Sequence, residues 1–222
     1  MSAAPERATG STGPTNAPVI AFYISGHGFG HASRVIETMN AVAAARPDAE
    51  LVVRTSAARW LFDLTVRGRF EFHDIACDTG VIQTDSLHLD IPASIREASA
   101  FMSAIEVRAD AEAAFLRARG VTLVVGDLPP LAFEAAARAG VPSIATGNFT
   151  WDWIYAGYAE ALAGAPGLVP AIRRPSGTPI ARRTASGSRV EWRATNGMST
   201  IGDAQSSKPP HIGSRSVSVA CR

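Results

Sequence analysis

Cysteine is nearly absent from the 222 residues: only Cys77 and Cys221 occur. Two cysteines cannot build a disulfide framework, and neither stands in a Cys-x-x-Cys or His-spaced metal pattern. Lysine is scarcer still, with Lys208 alone against 20 arginines. A Gly-Lys-Ser/Thr phosphate loop is therefore excluded. The Arg excess reads as the coding bias of GC-rich DNA. No apolar run approaches the roughly 18 residues of a membrane-span candidate. The first 18 residues lack the apolar segment of a secretory signal, so the chain is expected to be cytoplasmic, with no membrane span. Asn148-Phe149-Thr150 has the form of a glycosylation site and is read as chance in that setting. Net charge of one sign is missing too. The sum is +1 from 21 basic and 20 acidic residues, which argues against a nucleic-acid partner.

What is present is alternation. Residues 1–17 carry no period and are expected to be a disordered leader. From Val19 onward, short β-rich runs alternate with longer helical patterns, the signature of βαβ units and a parallel sheet. Strands are expected at 19–25, 50–55, 70–75, 121–126 and 143–147. Helices are expected at about 31–45, 57–67, 92–118 and 131–139, with an aromatic segment, NFTWDWIYAGY, following the fifth strand. The fold class is thus α/β: a single Rossmann-like, doubly wound parallel sheet over 18–174. The pattern stops near Arg174. Residues 175–222 hold nine serines but only eight of Val, Ile, Leu, Met, Phe, Trp and Tyr together. Such a segment buries too little apolar surface to offset its ordering entropy, so a disordered basic tail is expected. Its scattered charges argue against a nucleic-acid arm.

The chemistry concentrates in Ser25-Gly-His-Gly-Phe-Gly-His31, between the first strand and the first helix. In open α/β sheets ligands bind beyond the carboxyl ends of the strands, and glycines there let a ligand approach the backbone. A dinucleotide fingerprint fits Gly26 and Gly28, but its third glycine falls on His31. The acidic residue expected after strand 2 is replaced by Arg54 and Thr55, which weakens a dinucleotide site; Arg54 opposite a 2′-phosphate would keep an NADP site open. A metal held by His27 and His31 is discounted, because three glycines lie in the segment and no carboxylate is interposed. General-base chemistry remains. A histidine at a helix start can take a proton from a hydroxyl, best with a carboxylate on its other nitrogen. Asp127, after the fourth strand, is the candidate partner. The alternative stays open that His31 and Asp127 merely cap helices.

Four segments, YISGHGFGHASR, DTGVIQTDSLHLD, LVVGDLPPLAFEAA and NFTWDWIYAGY, resemble the N-terminal half of a group of bacterial glycosyltransferase-like proteins. The same half stands at the front of plant arabinokinases, and both look like the acceptor domain of the two-Rossmann-domain (GT-B) glycosyltransferase fold. The resemblance runs from about Val19 to Arg173. It implies His31 as the base that deprotonates an acceptor hydroxyl and Asp127 as the residue that orients it. It also implies a small-molecule or glycan acceptor lined by Gly26, His27, Gly28, Phe29, Gly30, Asp78, Gln83, Asp85, Asn148, Trp151 and Asp152. Core packing is the competing reading for Trp151 and Trp153.

The family's second domain, which holds the nucleotide-sugar donor, has no counterpart in the pattern after Arg174. The chain is expected to leave an ancestral reading frame there. It would then hold no donor or other cofactor by itself, be inactive alone, and self-associate through exposed interdomain surface. A non-catalytic module that binds a sugar or nucleotide is the alternative.

Overall fold

A computed structural model describes residues 17–176 and two short pieces, Arg182–Arg183 and Arg189–Val190, which pair antiparallel. The expected leader and nearly all of the expected tail lie outside the described residues.

Strand β1 (Val19–Ile24) is buried at every position, as a central strand covered on both faces must be. It is flanked in parallel by β2 (Glu50–Thr55) and β4 (Leu123–Asp127), with β3 (Phe70–Asp74) and β5 (Ser143–Ala145) outside them. The order is β3-β2-β1-β4-β5. The chain winds outward in one direction from β1, returns beside β1 at β4, and winds outward the other way. Successive residues of β1 serve two cores. Ile20, Phe22 and Ile24 pack with α1 (Phe29–Ala45) and Phe62 of α2 (Arg59–Thr65). Val19, Ala21 and Tyr23 pack with Leu116 of α4 (Ile105–Ala118) and the alanines of α5 (Pro130–Ala139). The α/β doubly wound fold expected from the alternation is what the chain adopts.

A third apolar cluster lies off the sheet. It joins α3 (Ile91–Ser103), α6 (Trp151–Ala156) and α7 (Leu168–Ser176) through Ile95, Phe101, Trp151, Tyr155, Leu168 and Ile172. It accounts for the largest departure from the expected elements. The single helix expected at 92–118 is two, α3 and α4, broken at Ala104 (φ −98°, ψ 4°). The turn lets α3 reach the third cluster while α4 lies along α5. Smaller differences matter for the site. Helix α1 begins at Phe29 rather than 31, so His31 falls in its first turn. Strand β4 includes Asp127 as its last residue.

Candidate functional site

The winding reverses between β1 and β4, the place where open α/β sheets form a ligand crevice outside the carboxyl ends of the strands. Ile24 and Asp127 are partners in register there. The loop after Ile24 turns into α1 at Gly28, and His31 points back to the sheet. His31 Nδ1 lies 2.7 Å from Asp127 Oδ2, with both side chains buried. Arg34, one helical turn on, donates from Nη2 to the other oxygen, Oδ1, at 2.7 Å. Its Nη1 donates to Asn148 Oδ1 at 3.2 Å. A carboxylate that receives the guanidinium on one oxygen acts as acceptor on the other as well. Nδ1 is then the protonated nitrogen, and the tautomer this sets puts the ring's lone pair on Nε2, the nitrogen without a described bond.

The capping alternatives do not describe this arrangement. Gly28 and Pro129 hold the cap positions of α1 and α5 without side-chain bonds, and Asp127 bonds His31 and Arg34 instead. The backbone beyond Asp127 is strained. Leu128 has φ 65°, a conformation that costs a bulky L-residue about 1–3 kcal/mol. Its side chain fills the space where a Cβ on Gly147 would stand, 2.3 Å from Leu128 Cδ1. Only glycine at 147 lets the loop after β5 close over Asp127.

An aromatic wall backs the imidazole. The Trp151 indole is stacked on the His31 ring, centroids 6.0 Å apart at 27°, and Phe149 meets both edge-on at 5.5 Å. His27 meets Trp151 edge-on at 5.5 Å. A Cβ on Gly80 would stand 2.6 Å from His27 Cβ, so the loop after β3 passes directly beneath that ring. Asp78, in this loop, accepts from Ser25 Oγ at 3.0 Å and from Trp151 Nε1 at 2.7 Å. The protein packed around its carboxyl raises its pKa to about 6, against the pull of those two bonds and of His31. Burial, with the neighbouring His31, lowers that of His27.

The remaining expected residues are spread more widely. Gly28, Phe29 and Gly30 form an exposed rim beside the half-buried Gly26, and Phe29 leans on Trp60, ring centroids 5.9 Å apart. Trp151 is 4% exposed and belongs to the third cluster, which is the core-packing role rather than an open stacking platform. Asp152 is buried and paired with Arg173 of α7 at 2.9 Å, so it ties two helices together. Gln83 and Asp85 are exposed, and the described bonds of Asp85 stay inside its own loop, to Leu87 and His88. Arg54 is not free for a 2′-phosphate. Its guanidinium is buried against Glu112 and lies 3.9 Å over the Phe115 ring, while Tyr23 donates to the same Glu112. Among the described residues, no three His, Cys, Asp or Glu side chains gather as a metal site. Arg34, Ser25 and Phe149 were not singled out in the sequence. For Arg34 a signal existed, since a residue three after His31 shares its helical face.

Fold and site together define a doubly wound α/β domain with a His–Asp pair at its switch point. No family model matches the chain. Over 146 residues, 64% of its length, it is 36% identical to L-arabinokinase of Arabidopsis thaliana. The resemblance expected from the motifs is thus found, and the chain spans 14% of that relative. Three solved structures share its fold over part of their length. UGT2 of Phytolacca americana, complexed with UDP-2-fluoro-glucose and pterostilbene, overlays with TM-score 0.41 and 16% identity, over 66% of this chain and 35% of that one. A UGT transferase of Siraitia grosvenorii in complex with UDP gives 0.36 and 14% over 67% and 28%. MurG of Acinetobacter baumannii gives 0.33 and 12% over 59% and 35%. Among the described residues, no helix is long and apolar enough to cross a membrane.

Proposed function

We propose that the described residues form the acceptor side of a glycosyl-transfer site, with His31 as general base. Nε2 takes the proton of an acceptor hydroxyl, and Asp127 balances the imidazolium that forms. The freed oxygen attacks the anomeric carbon of a nucleotide sugar. The bond to the diphosphate breaks with its electron pair leaving on the diphosphate oxygen, and the anomeric centre inverts. The donor is a co-substrate that this reading does not assign to the described residues, so those residues by themselves are expected to bind acceptor without turnover.

One observation carries this reading: the 2.7 Å Nδ1–Asp127 contact, with Nε2 unbonded among the described residues. The similarity to a protein named L-arabinokinase supports a sugar as the hydroxyl-bearing ligand. The sole lysine, Lys208, stands in no phosphate loop, which favours activation of a hydroxyl over phosphate binding by these residues. The second reading, a non-catalytic sugar-binding module, is favoured by Arg34, whose guanidinium already neutralises the Asp127 carboxylate. We further propose that the exposed Phe29, Trp60 and Leu64 let the chain self-associate.

Saturation-transfer NMR of the full chain against free sugars, beginning with L-arabinose, tests the proposal. Binding in the millimolar range is expected, retained in His31→Ala, with no transfer from UDP-glucose by the chain alone. Absence of binding across pentoses and hexoses would refute the acceptor reading. Transfer by the chain alone that survives His31→Ala would refute the base.

A further inference from the structure

We infer that Asp78 is a positioning residue for His31, acting through the Trp151 indole, and not a ligand of the acceptor. Its two carboxyl oxygens are already committed, one to the Ser25 hydroxyl and the other to the Trp151 N–H. Ser25 in turn accepts from the His27 backbone N–H at 3.2 Å, so the first oxygen is tied to the start of the glycine loop. The second oxygen fixes the far side of the crevice. Trp151 and Tyr155, one turn apart on α6, both reach the same loop: the Tyr155 hydroxyl donates to the Gly80 carbonyl at 2.5 Å.

Helix α6 is six residues long and its cap residue, Thr150, makes no side-chain bond, so these two side-chain anchors, with the Asp152–Arg173 pair, fix its rotation. The indole they fix is the one stacked on His31. His31 therefore has two supports at right angles in function. Asp127 sets which nitrogen carries the proton, and the Asp78–Trp151 pair sets the plane of the ring. An aromatic stack gives no fixed ring angle by itself, because its energy is broad in rotation; a hydrogen bond on the indole edge is directional and supplies the angle. The inference concerns how the imidazole is held, and it stands whether or not His31 removes a proton from a substrate.

The test is NMR on the 15N-labelled full chain, reading the Trp151 indole N–H, assigned by its loss in Trp151→Phe, and the His31 Nδ1 proton. In Asp78→Ala the indole signal is expected to move. The Nδ1 proton is expected to exchange with water roughly tenfold faster, the factor that one net hydrogen bond carries. In Asp78→Asn, which keeps an acceptor oxygen for the indole, both signals should stay near those of the unaltered chain. Trp151→Phe keeps a ring but not the N–H, and should raise the Nδ1 exchange rate as Asp78→Ala does. An unchanged Nδ1 exchange rate in a folded Asp78→Ala chain would overturn the inference, and so would an unchanged rate in Trp151→Phe should Asp78→Ala not fold. Sugar binding enters none of these readings, so the two proposals fail separately.

Discussion

Replacing Asp78 with Asn should make the protein more stable at neutral pH and leave it unchanged in acid. The carboxyl titrates at about 6 in the folded chain and near 3.8 in an exposed reference state. A raised carboxyl pKa means the folded state binds the extra proton. This group's contribution is therefore most favourable below pH 4 and is lost as pH rises through 6. The gap corresponds to roughly 3 kcal/mol at full ionisation. Asp78 keeps some surface in contact with solvent, which reduces the expected gain to about 1–3 kcal/mol.

Asparagine matches the carboxyl in shape. Its oxygen can accept from Trp151 and its amide can donate to the Ser25 oxygen, which keeps both contacts while the Ser25 O–H turns to another acceptor. Urea unfolding of the two chains at pH 4 and pH 8 is the assay. Nearly coincident curves are expected at pH 4 and a higher midpoint for the variant at pH 8, with a melting temperature about 2–4 °C higher per kcal/mol. A variant equal to or weaker than the unaltered chain at pH 8 would show that the ionised carboxylate is not held at a cost. The assignment of burial as the dominant influence on Asp78 would then fail.

Gly147→Ala drives a methyl into Leu128 beside Asp127, and should destabilise by about 1–3 kcal/mol in the same unfolding assay; a neutral result would mean the loop relaxes freely. Arg54→Met leaves the half-buried Glu112 carboxylate with Tyr23 as its remaining donor and should cost about 1–3 kcal/mol, a neutral result meaning that the pair carries little; NADPH should not raise the melting temperature of the unaltered chain, and a rise would restore Arg54 as a phosphate ligand. Trp60→Glu leaves stability within about 0.5 kcal/mol, because the residue is 53% exposed, yet should abolish concentration-dependent self-association in light scattering. Association that persists in Trp60→Glu would move the contact elsewhere.

The sheet was legible because each strand announces itself locally. LVVGD is a continuous apolar run ending on an acid, and VIAFYI is apolar at all six positions. The break at Ala104 was not legible. Alanine is the best helix former, no Gly or Pro marks the turn, and the reason for it is the third cluster, built from helices up to 70 residues further along. The His31–Asp127 pairing was within reach, since strand order alone sets β1 beside β4. Arg34 was legible only in part: its spacing from His31 puts it on the same helical face, but its role depends on the second oxygen of Asp127 and on Asn148, and nothing near Arg34 in the chain names either. Trp151 and Asp152 show the limit most sharply. An aromatic next to a carboxylate reads equally as a sugar platform or as a helix packed on its neighbours, and only the tertiary contacts to Asp78 and Arg173 decide it.

The site draws on segments far apart in the chain: His31 and Asp127 are separated by 96 positions, Arg34 and Asn148 by 114, Asp78 and Trp151 by 73. No hairpin or single βαβ unit can form any part of it in isolation. Contacts of such span are made late in folding, after the loop-closure entropy of the intervening chain has been overcome. The backbone amides of β1 and β4, which frame the site, should accordingly exchange with solvent only when the whole sheet opens, at rates set by global unfolding rather than local fraying. Those amides would then serve as a clock for completion of the fold, separate from the two side-chain protons that report the ring's orientation.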